Sequence, residues 1–195
     1  MKSNLNVVKL SKKQKREYAT AIHEIGHCIA YDEFNQEFEY VTIVENDEAL
    51  GHVHSNMSKV IRIFTLKDKV IDLNYFNLNV CSDQKIIESD IIISMSGYIA
   101  QGIYEKKKIS QKYSDFKSEL YNLNLFFEDG IILQNYFSLM LSIADSLIKY
   151  RWKMLLHLAN VLYERKTLTF DEYWEEKSKY LSNSQEMWYP ERKLS

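Results

Sequence analysis

Proline and glycine are scarce in this chain, with one proline and five glycines among 195 residues. These two residues most often interrupt helices and strands, so long regular elements are expected. Cysteine is also scarce. Cys28 and Cys81 cannot build a disulfide framework and lack zinc-ligand spacing, and Cys28 is expected as a small buried hydrophobe. Charge of one sign is not in excess: 25 basic and 27 acidic residues leave a net charge of -2. That balance offers nucleic acid no basic footprint, and the short run Lys12, Lys13, Lys15, Arg16 reads as a solvated helix face. No apolar run is long enough to span a bilayer, because 91–104 is interrupted by Ser94, Ser96, Gly97 and Gln101. Met1-Lys2-Ser3-Asn4 leads into no long apolar stretch, so no signal peptide is expected. These absences read together as a soluble, cytoplasmic protein with no nucleic-acid partner and no membrane span.

What the chain does carry is His23-Glu24-Ile25-Gly26-His27, the HExxH pattern. Residues four apart share a helix face, so both imidazoles can reach one Zn2+ ion. Glu24 stands about 100° further round the helix, beside the metal and not on it. There it can take a proton from water activated at the metal and pass it to a leaving amine. The chemistry implied is metal-assisted hydrolysis, most often of a peptide bond. Ser11 and Gln14 form a capping box that predicts a helix over 12–32. Within it Ala19, Ile22, Gly26, Ile29 and Ala30 repeat at helical spacing, with His23 and His27 bordering that buried stripe. Gly26 costs such a helix about 1 kcal/mol relative to alanine, so another backbone is expected to approach closely there.

Beyond this helix, 39–44 is β-branched and aromatic and 49–54 returns as a second strand, with a turn at Asn46-Asp47-Glu48. Segments 59–66 and 70–80 alternate loosely and suggest further strands. Helical spacing resumes over 82–105, with Ile86, Ile87, Ile91, Met95, Ile99, Ala100 and Ile103 as its apolar set. A polar break leads to a shorter helix over 114–127, N-capped by Ser114. The longest helical pattern runs over 133–165, and its stripe of Phe137, Met140, Ala144, Ile148, Leu155, Leu158 and Leu162 reads as core. Thr169 and Glu172 form a second capping box, opening a last helix through 181. The tail 182–195 is expected to be poorly ordered, although Trp188 and Tyr189 could dock it.

In order as well as in motifs, the chain resembles the peptidase domain of FtsH-type ATP-dependent zinc metalloproteases. Ala21-Ile22-His23-Glu24-Ile25-Gly26-His27 resembles the family's AxHEAGH helix, and Val41-Thr42-Ile43 with Ala49-Leu50-Gly51 resembles its VTIxPRGxALG hairpin. Ser96-Gly97-Tyr98-Ile99-Ala100-Gln101 sits at the place of GRxAEE, and Ser114-Asp115-Phe116 at that of SNDL. Leu158-Ala159-Asn160-Val161-Leu162, with Thr167, Leu168 and Glu172, resembles LAxxLLExETLxxxE. The matches span 11–176. The resemblance implies a mainly α (α+β) fold, a zincin-like helical metallopeptidase domain with a small antiparallel β element after the HExxH helix. It implies one such domain over 1–181, followed by the tail, and a zinc site of His23, His27 and Asp115 with Glu24 as general base. The departures are specific. The family's Arg and Glu become Tyr98 and Gln101, its Pro-Arg-Gly turn becomes Glu45-Asn46-Asp47-Glu48, and 56–83 has no counterpart. Within that stretch, 58–82 reads as an inserted β or loop segment. No GxxxxGK[ST] loop occurs, so no ATP-driven unfolding is expected of this chain.

Glu119 rivals Asp115, since many HExxH enzymes take a glutamate from a later helix, and Glu88, Asp90 and Glu105 are further candidates. His52 and His54 share a strand face and read as polar residues near the cleft, while His157 reads as a satisfied histidine at the margin of the long helix. The expected function is a zinc endopeptidase acting on flexible peptide or partner protein segments, with a homo-oligomer or a separate partner protein possible. The alternative is a peptidase-like zinc-binding regulatory or interaction module with little or no proteolysis.

Overall fold

Ser11 starts the first helix. Its side chain accepts from the Gln14 backbone N–H at 3.2 Å, and its own N–H donates to Gln14 Oε1 at 2.9 Å. Both halves of the expected capping box are present. The structure, a computed structural model, describes residues 11–45, 49–55, 80–107 and 130–184. In chain order the described elements are α1 (Lys12–Glu33), β1 (Tyr40–Thr42), β2 (His52–His54), α2 (Val80–Glu105), α3 (Gly130–Tyr150), α4 (Trp152–Arg165), β3 (Thr167–Thr169) and α5 (Phe170–Asn183). The fold is mainly helical with one small antiparallel sheet.

Helix α1 is the centre of the packing, lying against both α2 and α4, while α2 also meets α3. Its stripe of Ala21, Ile22, Ile25, Cys28 and Ile29 is buried, and it meets Ile91, Met95 and Ile99 of α2 and Leu155, Leu158 and Leu162 of α4 in one core. Each such isoleucine or leucine contributes about 1.5–3 kcal/mol on full burial. Cys28 is a free, buried cysteine, as expected. Gly26 is where α1 and α2 touch: a Cβ there would lie 2.7 Å from Ser96 O and 2.9 Å from Gly97 Cα. The backbone approach read from Gly26 is therefore present. With glycine scarce, helix ends use other residues in left-handed conformation, namely Asn35 (φ 52°), Lys106 (φ 55°) and Lys166 (φ 70°).

The sheet has strand order β2-β1-β3, both pairings antiparallel. Val41 of β1 stands opposite Val53 on one side and Leu168 on the other. Val41 and Leu168 are fully buried, which fixes the register, since a one-residue slip would turn both to the other face. The third strand, Thr167–Thr169, was not expected. Three residues are too short to show alternation, and the strand exists because Lys166 turns the chain back along β1, accepting from the Ile43 N–H at 2.9 Å. Thr169 is at once the end of β3 and the N-cap of α5, whose capping box with Glu172 is formed.

Two expectations are corrected. The helix read over 133–165 is two helices, α3 and α4, because Arg151 leaves helical geometry at φ -91°, ψ 9°. Hydrogen bonds cross the break, Arg151 N–H to Leu147 O at 3.0 Å and Leu155 N–H to Arg151 O at 2.9 Å, so the apolar period runs through it unchanged. The bend lets α3 follow α2 while α4 follows α1, with the Arg151 guanidinium 3.4 Å from Glu33 at the end of α1. The second correction concerns 80 and 81, read as the end of an inserted β or loop segment; with 82, where the helix was expected to begin, they form the first turn of α2. The strand read at 59–66, that at 70–80 apart from residue 80, the helix at 114–127 and the part of the 182–195 tail beyond 184 lie outside the described residues, while 182 and 183, read as tail, are the end of α5. Among the described residues, no helix is long and apolar enough to cross a membrane.

Candidate metal centre

His23 and His27 project from the face of α1 that meets α2. Their Nε2 atoms lie 3.0 Å apart. Each ring is held from behind by α2. His27 Nδ1 is 2.7 Å from the Ile93 carbonyl oxygen, and His23 Nδ1 is 3.1 Å from Gln101 Oε1. A carbonyl oxygen only accepts, so each Nδ1 carries the proton and each Nε2 keeps its lone pair. Two lone pairs facing each other at 3.0 Å repel, and a shared cation turns that repulsion into binding. Two nitrogens at about 2.0–2.1 Å from one tetrahedral ion would stand roughly 3.3 Å apart, close to the separation here. Ring nitrogens anchored by acceptors on the far side are also the usual outer support of metal-bound histidine. Two neutral imidazoles placed in this way are a donor pair that would suit zinc.

Burial sets the protonation states. It is the main cause that pushes the His23 imidazole down to about 3, with His27 adding to the effect and Gln101 opposing it. His23 is therefore neutral, the form that binds metal, at any ordinary pH. Burial likewise pushes the Glu24 carboxyl up to about 8. Glu24 is 6% exposed, and Gly51, just before β2, covers it: a Cβ on Gly51 would meet Glu24 Cγ at 3.1 Å and Thr20 Cγ2 at 2.7 Å.

Several residues of this centre were not singled out as functional from sequence. Gln101 and Tyr98 entered only as departures from a family pattern, yet Gln101 holds His23, and the Tyr98 ring stands edge-on to it at 4.7 Å between centroids. Gly97 makes room for the His27 ring, since a Cβ there would fall 2.6 Å from His27 Cε1 and 2.7 Å from Cδ2. The four-residue spacing of Gly97 and Gln101 on one helix was the available signal, and it needed the knowledge that α2 faces α1.

The other candidates are placed as follows. Asp115 and Glu119 lie outside the described residues. Among the described residues, no group of three or more His, Cys, Asp or Glu is arranged to hold a metal, so Glu88, Asp90 and Glu105 do not complete the His23–His27 pair there. Glu88 accepts from the Tyr136 hydroxyl, and Glu105 is tied to Lys107 and Gln101. His52 and His54 gather round Tyr40. The Tyr40 hydroxyl is 3.3 Å from His52 Nε2, and its ring stacks on His54 at 5.0 Å, with Glu39 3.6 Å from His54 Nε2. His157 was expected to be satisfied; among the described residues its buried Nε2 has no hydrogen-bond partner, and the ring packs on Tyr180 at 5.3 Å.

In comparison with known proteins, no family model and no curated protein matches this chain.

Proposed function

We propose that this chain is a zinc-dependent endopeptidase of the FtsH kind, hydrolysing peptide bonds in flexible or partner protein segments. The observation that carries the reading is the facing pair of Nε2 atoms, 3.0 Å apart, each made a lone-pair donor by an acceptor at its own Nδ1. Asp115 is the third ligand in this reading, by its place in the resemblance. Zinc held by these residues would supply a Lewis acid able to polarise a carbonyl and to lower the pKa of water toward 7. Glu24 accepts the proton of the attacking water and later delivers it to the departing amine. Burial pushes the Glu24 carboxyl up to about 8 in the metal-free protein, and a cation held beside it would favour the ionised form that accepts a proton. Substrates are flexible segments, since a folded chain presents no accessible extended strand and these 195 residues carry no GxxxxGK[ST] motor motif.

The test is hydrolysis of unstructured casein by zinc-loaded protein, with Glu24→Gln as control. That change keeps size and helix propensity but removes the base, so hydrolysis should fall by about 10²–10⁴-fold while zinc stays bound. Undiminished cleavage by Glu24→Gln would refute the role of Glu24. Zinc binding with no cleavage by the native sequence would favour the regulatory or interaction module instead.

A further inference from the structure

His27 and His23 are held by different kinds of acceptor. His27 is held by a main-chain carbonyl of α2, which the helix itself fixes. His23 depends on side chains alone. Its Nδ1 is 3.1 Å from Gln101 Oε1, and Gln101 Nε2 donates to Glu105 Oε1 at 3.2 Å, one turn further along α2. Lys107 Nζ donates to Glu105 Oε2 at 2.6 Å, which holds that carboxylate in place. An amide can offer either its oxygen or its NH2 to an imidazole, and the wrong choice would move the His23 proton to Nε2. A carboxylate only accepts, so Glu105 takes the NH2 and leaves the Gln101 carbonyl for His23.

We propose that Gln101 and Glu105 form a two-residue relay that positions His23 as a metal ligand, Glu105 acting only through Gln101. The inference rests on the zinc reading above. It explains the place of Gln101 between α1 and α2 without giving it contact with substrate, so it is a positioning residue. The relay fixes the tautomer and the plane of one of the two histidine ligands, and its loss weakens metal binding without removing a ligand.

The experiment is a zinc titration of the full chain by competition with a chromophoric chelator, with cobalt(II) absorption reporting the ligand geometry. Removing an outer hydrogen-bond partner of this kind costs about 10–100-fold in metal affinity, which is expected for Gln101→Leu together with an altered cobalt spectrum. Glu105→Gln still offers a carbonyl to the Gln101 NH2 and should bind zinc as the native sequence does. Glu105→Leu should weaken zinc in the native background and have no further effect in the Gln101→Leu background. If Gln101→Leu does not fold, Gln101→Asn, which withdraws the amide by one methylene, should show the same loss. Native zinc affinity in a folded Gln101 variant overturns the relay. So does an equal cost of Glu105→Leu in both backgrounds, since Glu105 would then act independently of Gln101. Failure of the native sequence to bind zinc overturns the zinc reading itself, and is distinguished because no variant then has an affinity to lose.

Discussion

Replacing Gly97 by alanine should reverse the usual sign of that substitution. Gly97 lies inside α2, where alanine is ordinarily favoured by about 0.5–1 kcal/mol. Here the added Cβ would fall 2.6 Å from His27 Cε1 and 2.7 Å from Cδ2, whereas carbon atoms in contact stand about 3.5–4.0 Å apart. The imidazole must retreat by about 1 Å to restore ordinary contact. It is held on its other side by Nδ1 donation to Ile93 O at 2.7 Å. Nor can α1 and α2 adjust freely, because Gly26 already brings them to backbone contact, with its Cβ position 2.7 Å from Ser96 O. Overpacking of this kind costs about 1–3 kcal/mol, more than helix propensity returns. At about 2–4 °C per kcal/mol for a chain of this size, the Tm of the metal-free protein should drop by a few degrees. The effect on zinc is larger, because metal–ligand distances tolerate only about ±0.2 Å and the ring is displaced by several times that. Thermal melts with and without zinc give both readings: the native protein should gain Tm with zinc, and Gly97→Ala should gain little. A variant as stable as the native sequence, with its zinc-dependent gain intact, would refute the packing argument.

Two further outcomes follow from the same centre. Asp115→Asn should weaken zinc binding by a large factor and abolish hydrolysis, measured by the same chelator competition and casein assay; a small loss of stability with zinc unaffected would make Asp115 only a first-turn acid, worth about 0.3–1 kcal/mol, and move the third ligand to Glu119. In metal-free protein, Glu24 has its carboxyl raised from 4.5 to about 8 by burial, so the fold holds a proton the unfolded chain has released. Its contribution is fully present below pH 4.5 and is lost as pH rises through 8, so Glu24→Gln should melt above the native protein at pH 8, with the advantage gone near pH 4. Equal melting points at pH 8 in the presence of a chelator would contradict that.

Much of the frame was legible because it is written locally. The Ser11–Gln14 and Thr169–Glu172 capping boxes each mark a helix start, and the apolar period of α1 sets which face is buried. Gly26 announced a close backbone approach, which is a tertiary fact, because a glycine in a helix interior needs such a reason. The break at Arg151 was not legible, since its hydrogen bonds and apolar period continue across it. Nor was β3, which exists only because Lys166 folds the chain back on β1. In the candidate metal centre, His23, Glu24 and His27 were read from one turn of one helix. Gln101, Ile93 and Gly97 were not, because their roles depend on which face of α2 meets α1, and no local spacing encodes that pairing.

The central claim is that His23 and His27 hold a metal ion, and elemental analysis of protein purified under zinc-replete conditions tests it most directly. The account predicts about one zinc per chain, as a site with two imidazoles and a carboxylate around an open position would hold, and it predicts loss of that zinc in His23→Ala and in His27→Ala. Well under half an equivalent in the native protein, or zinc retained undiminished by both variants, would contradict it.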